Sequence, residues 1–150
     1  MICYATFSGS SGLGYEVFCS AGFSSGGILS VYAALLFNEI SCCISSGALS
    51  TFKKLFVDKD SCECSIIPGI IQHADFPDIY ASIAPKLLFV QSGLNDSFTG
   101  INTGSDECFN KIKKAYSLMN CNSNLRIDLH DNGHNYDSIS ILKWLEEYFC

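Results

Sequence analysis

The chain has 150 residues, 48% of them hydrophobic, and a formal net charge of -6. This length and composition allow one domain with a sizeable buried core, and they exclude a wholly disordered chain. The acidic charge argues against nucleic acid or an anionic membrane surface as the main partner, because no basic face is available to neutralise phosphates. No apolar run approaches the roughly 20 residues that span a bilayer, so no membrane partner is expected.

The beginning of the chain and its cysteines predict a cytoplasmic protein. The first 14 residues have no basic start and no continuous apolar stretch, so they do not resemble a secretory signal peptide. The nine cysteines are odd in number and irregular in spacing, and Cys19, Cys42 and Cys43 fall within apolar, strand-like runs. We therefore predict free, buried thiols in a reducing compartment.

Residues 1–14 end in a Gly- and Ser-rich stretch and are predicted to be a flexible segment, whereas residues 15–150 form one partial domain. A strand is predicted at 15–20, a helix with apolar residues at helical spacing at 25–37, and a short buried strand at 40–45. Strand, helix and strand in this order form a βαβ unit, which implies a parallel sheet that binds ligands at its carboxyl edge.

The remaining chain continues the alternation of helices and strands. In chain order, the pattern predicts a helix at 51–57, irregular structure at 58–78, a strand at 86–91, a helix at 105–119 capped by Ser105, a strand at 125–129 and a helix at 137–149. No repeat and no change of composition marks a second domain. The predicted fold is α/β, with about four mostly parallel strands and helices on both faces.

The turn between the first predicted strand and helix contains the sequence Gly22-Phe23-Ser24-Ser25-Gly26. A Gly-x-Ser-x-Gly sequence at this place is typical of a nucleophile elbow, a sharp turn that exposes a serine. Glycines suit the turn because the serine backbone is strained and the strand and helix pass close to each other. Ser24 is therefore a candidate nucleophile, and a simple turn serine is the alternative.

Two further candidates follow later strands. Asp96 follows the strand at 86–91 and His134 follows the last strand, so the chain order is nucleophile, acid, histidine. A serine hydroxyl needs an imidazole to accept its proton, and the imidazole needs a carboxylate to fix its tautomer. Asp96 could instead be a turn aspartate, and His130 competes with His134 for the same role. A parallel sheet would bring all three candidates to one rim.

With these residues in place, the chain resembles the C-terminal half of an α/β-hydrolase, and in particular esterases related to acetyl xylan esterases and dienelactone hydrolases. The segments that carry the resemblance are Gly22-Phe23-Ser24-Ser25-Gly26-Gly27, Cys62-Glu63-Cys64 with Ile67-Pro68-Gly69, Asp78-Ile79 with Ile83-Ala84-Pro85, Gly93 with Asp96, and Gly133-His134.

The resemblance implies a serine esterase that acts on small ester or acyl substrates and needs no cofactor or metal. By resemblance, Ser24 is the nucleophile, Asp96 the acid and His134 the base, and the backbone N–H of Ser25 is one donor of the oxyanion hole. Dienelactone hydrolases use a cysteine nucleophile, so Ser24 favours an esterase. Lys86-Leu87 stands where the family often has Arg-Pro, and Phe98-Thr99 where it often has Phe-Pro.

Such hydrolases carry about four strands before the elbow, and a loop there gives a second oxyanion donor. Only about fourteen residues precede the first predicted strand here, which favours an alternative: a truncated, catalytically impaired fragment that acts as an interaction module. Its elbow strand would be an exposed edge through which copies could self-associate. Cys62-x-Cys64 could be half of a zinc site, but no second pair is present, and packing under a loop explains it better.

Overall fold

The structure is a computed structural model, and it describes residues 2–8, 14–59, 66–99 and 105–149. Five strands form one sheet: β1 (Ile2–Ser8), β2 (Gly14–Phe23), β3 (Ile40–Ser46), β4 (Leu87–Gly93) and β5 (Leu125–His130). Their order in the sheet is the same as their order in the chain. The pairs β2–β3, β3–β4 and β4–β5 are parallel, as the sequence predicts, whereas β1 is antiparallel to β2.

Helices connect the parallel strands and cover the sheet. They are α1 (Ser25–Leu36), α2 (Phe76–Ala81), α3 (Ser105–Leu118) and α4 (Ser138–Phe149), with a π-helical turn at Lys53–Asp58 and 3-10 turns at Ile70–Gln72 and Asn122–Asn124. The prediction of helices on both faces is confirmed. The larger core cluster contains buried residues of α1, α2 and α3, such as Val31, Tyr80 and Ile112. The smaller cluster, on the opposite face, contains Phe89 and the α4 residue Trp144.

The first strand corrects the prediction that residues 1–14 lack structure. Ile2–Ser8 pairs along β2 from Ile2 opposite Ser20 to Ser8 opposite Gly14. Four of its seven residues, Ile2, Tyr4, Thr6 and Phe7, are β-branched or aromatic, a composition that favours a strand. β2 therefore does not form the exposed edge that the sequence predicts. Self-association through that edge was expected because β2 lacked a neighbour, and β1 is that neighbour.

A second difference lies in the segment at 58–78, which the sequence predicts to be irregular. Phe76–Ala81 is a helix, and its cap explains why it forms. The Asp75 side chain accepts a hydrogen bond from the N–H of Phe76, while the Asp78 side chain accepts one from the N–H of Asp75. Pro77 lies in the first turn, where its missing N–H costs nothing. Cys62 and Cys64 lie outside the described residues.

Lys86 stabilises the end of α1 from a distant part of the chain. Its Nζ donates hydrogen bonds to the carbonyl oxygens of Ala34, at 2.6 Å, and Phe37, at 3.0 Å. The last turn of α1 carries no basic residue of its own. A cation at this end satisfies the free carbonyls and compensates the helix dipole, which gives a structural reason for the lysine at this position.

The cysteine side chains that the structure describes agree with the prediction of free, buried thiols. Cys19, Cys42, Cys43 and Cys108 are buried and Cys121 is half-buried, and none of these five forms a disulfide. In the ranges that the structure describes, no helix is both long and apolar enough to cross a membrane.

Candidate active site

The turn between β2 and α1 holds Ser24 in a conformation that few residues other than glycine adopt. Its φ is 57° and its ψ is -127°. The N–H of Ser24 donates to the carbonyl of Ser46 at 2.9 Å, and its own carbonyl accepts from the N–H of Gly27 at 2.8 Å. These bonds keep the strained residue in place between the end of a strand and the beginning of a helix. The geometry agrees with the predicted nucleophile elbow.

The two outer glycines of the elbow sequence have different roles. A side chain on Gly22 would overlap the backbone carbonyl of Gly26, so only glycine allows β2 and α1 to come this close. A side chain on Gly26 would meet nothing within 4 Å. Packing therefore requires glycine at position 22, whereas position 26 has room for a side chain.

The structure brings Ser24, Asp96 and His134 together. Nε2 of His134 lies 3.0 Å from Oγ of Ser24, and Nδ1 lies 2.7 Å from Oδ2 of Asp96. The three residues follow β2, β4 and β5, whose carboxyl ends lie at the same edge of the sheet. In the tautomer with its proton on Nδ1, the imidazole donates to Asp96 and accepts from the serine hydroxyl.

Asp96 is only 3% exposed and accepts several hydrogen bonds. Oδ1 accepts from the N–H groups of Phe98, at 2.7 Å, and Thr99, at 3.2 Å, and Oδ2 also accepts from the Thr99 hydroxyl at 2.6 Å. Burial by itself raises the pKa of this carboxyl, but the hydrogen bonds from Thr99, His134 and Phe98 outweigh it and lower the pKa. The carboxylate is therefore ionised at neutral pH and can hold an imidazolium beside it.

This lowered pKa predicts an acid-dependent loss of stability. A carboxyl with a lower pKa in the folded than in the unfolded chain stabilises the fold above its unfolded pKa, which is about 3.9. We expect that stabilisation to be lost as pH falls through the lower, folded pKa. Urea denaturation of wild type and Asp96→Asn, compared from about pH 5 to about pH 3, measures it. The wild type should lose its advantage over the variant towards acid; a difference that stays constant with pH would contradict the assignment.

The loop that carries His134 lies against the turn that carries Asp96. The N–H of Leu94 donates to the carbonyl of His130 at 2.8 Å, and the Asn95 side chain donates to the carbonyl of Asp131 at 2.7 Å. A side chain on Gly93 would overlap the carbonyl of Gly133. The two loops thus pack backbone to backbone, and this contact fixes the beginning of the histidine loop.

Aromatic side chains surround the imidazole. The ring centroid of Phe23 lies 4.7 Å from that of His134, and the ring of Phe98 lies at 5.4 Å. Tyr136 contacts Phe23 edge to face at 6.3 Å. No sequence pattern assigns these rings to the site, although Phe23 is the residue directly before Ser24 in the elbow sequence. They give the partly exposed imidazole an apolar rim.

The N-terminus of α1 lies beside the serine. Because α1 begins at Ser25, the N–H groups of Ser25 and Gly26 come before the first backbone hydrogen bond of the helix, and the helix dipole places partial positive charge there. The Ser25 N–H, predicted as an oxyanion donor, is the first of this series. A helix N-terminus at this place can stabilise negative charge that develops on a substrate oxygen.

The competing histidines do not join the cluster. His130 ends β5, and neither of its ring nitrogens has a hydrogen-bond partner among the described residues. His73 is exposed beside the 3-10 turn. Within the described ranges, no three side chains of His, Cys, Asp or Glu converge as metal ligands would.

Comparison with known proteins gives structural matches only. No protein-family model matches the chain, and no curated protein does. A family 15 carbohydrate esterase, the glucuronoyl esterase from Caldicellulosiruptor kristjansonii, matches 85% of this chain with a TM-score of 0.69 and 13% identity. A methylesterase matches 85% with a TM-score of 0.65 and 20% identity, and an esterase from Pyrococcus furiosus matches 88% with 0.61 and 15%.

These matches show that the chain has the α/β fold of the matching part of these esterase structures, a parallel sheet with helices on its flanks. The chain spans only 41% of the glucuronoyl esterase, 29% of the methylesterase and 54% of the Pyrococcus furiosus esterase.

Proposed function

We propose that the protein is a serine hydrolase that cleaves small esters through Ser24, His134 and Asp96. The observation that carries the proposal is the pair of contacts made by one imidazole, 3.0 Å to the serine hydroxyl and 2.7 Å to a buried carboxylate. Those are the distances at which a proton passes from a serine to a histidine whose orientation a carboxylate fixes. The esterase fold supports the same reaction class.

In this mechanism Oγ of Ser24 attacks the ester carbonyl carbon while Nε2 of His134 takes the hydroxyl proton. Asp96 stabilises the imidazolium that results. The Ser25 N–H, at the start of α1, donates to the oxyanion of the tetrahedral intermediate. His134 then returns the proton to the leaving alkoxide, and water attacks the acyl-enzyme by the same route in reverse.

The substrate is proposed to carry a small acyl group. The resemblance to acetyl xylan esterases favours acetate, and the aromatic rings of Phe23 and Phe98 beside His134 favour a leaving group with an apolar face. p-Nitrophenyl acetate has both properties and releases a coloured product.

Turnover of p-nitrophenyl acetate by the purified wild type tests the proposal. We expect hydrolysis well above the buffer rate that continues for many turnovers. A single burst without turnover would mean that acylation occurs and deacylation fails. Absence of any hydrolysis would contradict the proposal and favour the alternative from the sequence, a non-catalytic interaction module.

A further inference from the structure

Gln91 is a polar side chain in a fully buried position at the carboxyl end of β4. Its exposed fraction is 0%. A buried amide destabilises a fold unless its donors and acceptors are satisfied, and an apolar residue would be the ordinary choice at the centre of a sheet. The partners of Gln91 therefore show what this polar residue does there.

Both ends of the Gln91 amide bind the segment that follows His134. Oε1 accepts from the N–H of Asp137 at 3.0 Å, and Nε2 donates to the carbonyl of the same residue at 3.0 Å. Nε2 also lies 2.8 Å from Oγ of Ser140 and 2.9 Å from Oδ2 of Asp128. One side chain thus holds the backbone of Asp137 through its donor and its acceptor.

The same amide contacts the strand that supports the elbow. Oε1 of Gln91 accepts from the hydroxyl of Ser46 at 2.8 Å, and the carbonyl of Ser46 accepts from the N–H of Ser24. The backbone carbonyl of Gln91 accepts from the N–H of Gly47 at 2.8 Å. Gln91 therefore connects the support of Ser24 to the loop that carries His134.

The position of Asp137 explains why this connection matters. His134 lies in the loop between β5 and α4, and Asn95 holds the beginning of that loop while Gln91 holds its end. Only two residues separate His134 from Asp137. A displacement of about 1 Å at a catalytic group can lower the rate about 100-fold, so both ends of a short loop must be fixed.

We propose that Gln91 is a positioning residue that fixes His134 between Ser24 and Asp96. The proposal rests on the proposed function of the site. Gln91 touches no reacting atom and acts through the backbone of Asp137. Asp128 and Ser140 orient its amide, because the Ser140 hydroxyl donates to Asp128 at 2.7 Å and can accept from Nε2 of Gln91.

Gln91→Met tests the proposal, because methionine has a similar shape and none of the hydrogen bonds. We expect kcat for p-nitrophenyl acetate to fall about 10- to 100-fold, with a much smaller change in KM. A second readout does not need turnover: the proton held between Nδ1 of His134 and Asp96 should give a low-field NMR resonance in the wild type. That resonance should broaden or disappear in Gln91→Met.

Tyr80→Phe is the matched control for general loss of stability. It removes another fully buried hydrogen bond, 2.6 Å between the hydroxyls of Ser45 and Tyr80, on the opposite face of the sheet. We expect a lower melting temperature with the resonance and kcat retained. If Tyr80→Phe, at equal destabilisation, reduced both as strongly as Gln91→Met, the effect of Gln91 would be structural only.

An exchange of charge gives a rescue experiment. Gln91→Glu places a second carboxylate beside Asp128, where the two repel each other, and should impair the site at least as much as Gln91→Met. Adding Asp128→Asn removes the repulsion and restores one donor and one acceptor between the two positions, although the carbonyl of Asp137 still lacks its donor. We expect the double variant to recover the resonance and part of kcat.

The outcomes separate the two proposals. A wild type with the low-field resonance but without hydrolysis contradicts the proposed function, and the resonance still decides the role of Gln91. An active wild type with an unchanged resonance and kcat in Gln91→Met overturns the role of Gln91 alone. A wild type with neither resonance nor hydrolysis contradicts the fixed His134–Asp96 contact and overturns both.

Discussion

Ser24→Ala is expected to lower kcat/KM for p-nitrophenyl acetate on the order of ten thousand-fold or more relative to the wild type. The substitution removes the attacking oxygen and leaves the elbow backbone as it is. The remaining groups could only polarise the ester for direct attack by water. Initial rates at substrate concentrations well below KM, corrected for the buffer rate, measure this loss of kcat/KM.

His134→Ala should cause a loss of similar size, and the double variant should be no worse than either single one, because the groups act as one unit. Ser117→Ala is the matched control, since Ser117 is exposed on α3, away from the sheet edge that carries Ser24. Hydrolysis by Ser24→Ala at the wild-type rate would show that another group carries the reaction.

Gly22→Ala is expected to destabilise the fold by about 3 kcal/mol or more. The new methyl group would overlap the backbone carbonyl of Gly26, and no flexible side chain is there to move aside. Relief requires β2 and α1 to separate, which disrupts the turn that holds Ser24. For a chain of this size, such a loss corresponds to a decrease in Tm of roughly 10 °C.

Gly26→Ala is the matched control from the same sequence motif. Its side chain would meet nothing within 4 Å, and alanine favours a helix over glycine by about 1 kcal/mol. We expect its Tm to be equal to or above that of the wild type in thermal denaturation followed by circular dichroism. Equal losses of stability in the two variants would contradict the close approach of β2 and α1 at Gly22.

The sequence correctly predicted the helices and strands whose apolar residues recur at a regular spacing. The apolar spacing of α4 and the alternation in β5 are local, so they are visible without any knowledge of the sheet. The order of these elements predicted parallel strands, and parallel strands place Ser24, Asp96 and His134 at one edge of the sheet. This meeting follows from topology, because each residue comes directly after a strand.

Other features depend on contacts between distant parts of the chain. β1 forms a ladder with β2 over its whole length, and the Gly- and Ser-rich sequence that follows it hid the strand pattern. The capping box of Asp75 and Asp78 around α2 was a local signal that the sequence analysis missed. Gln91 gave no signal at all, since its five side-chain hydrogen bonds reach residues 37 to 49 positions away.

A fluorophosphonate probe tests the nucleophilicity of Ser24 most directly. Oγ of Ser24 should attack phosphorus, fluoride should leave, and His134 should take the hydroxyl proton. Peptide mass spectrometry of the labelled wild type is predicted to find one adduct, on Ser24, which is greatly reduced in His134→Ala. Absence of an adduct, or an adduct on a different residue, would contradict the assignment of Ser24 as an activated nucleophile.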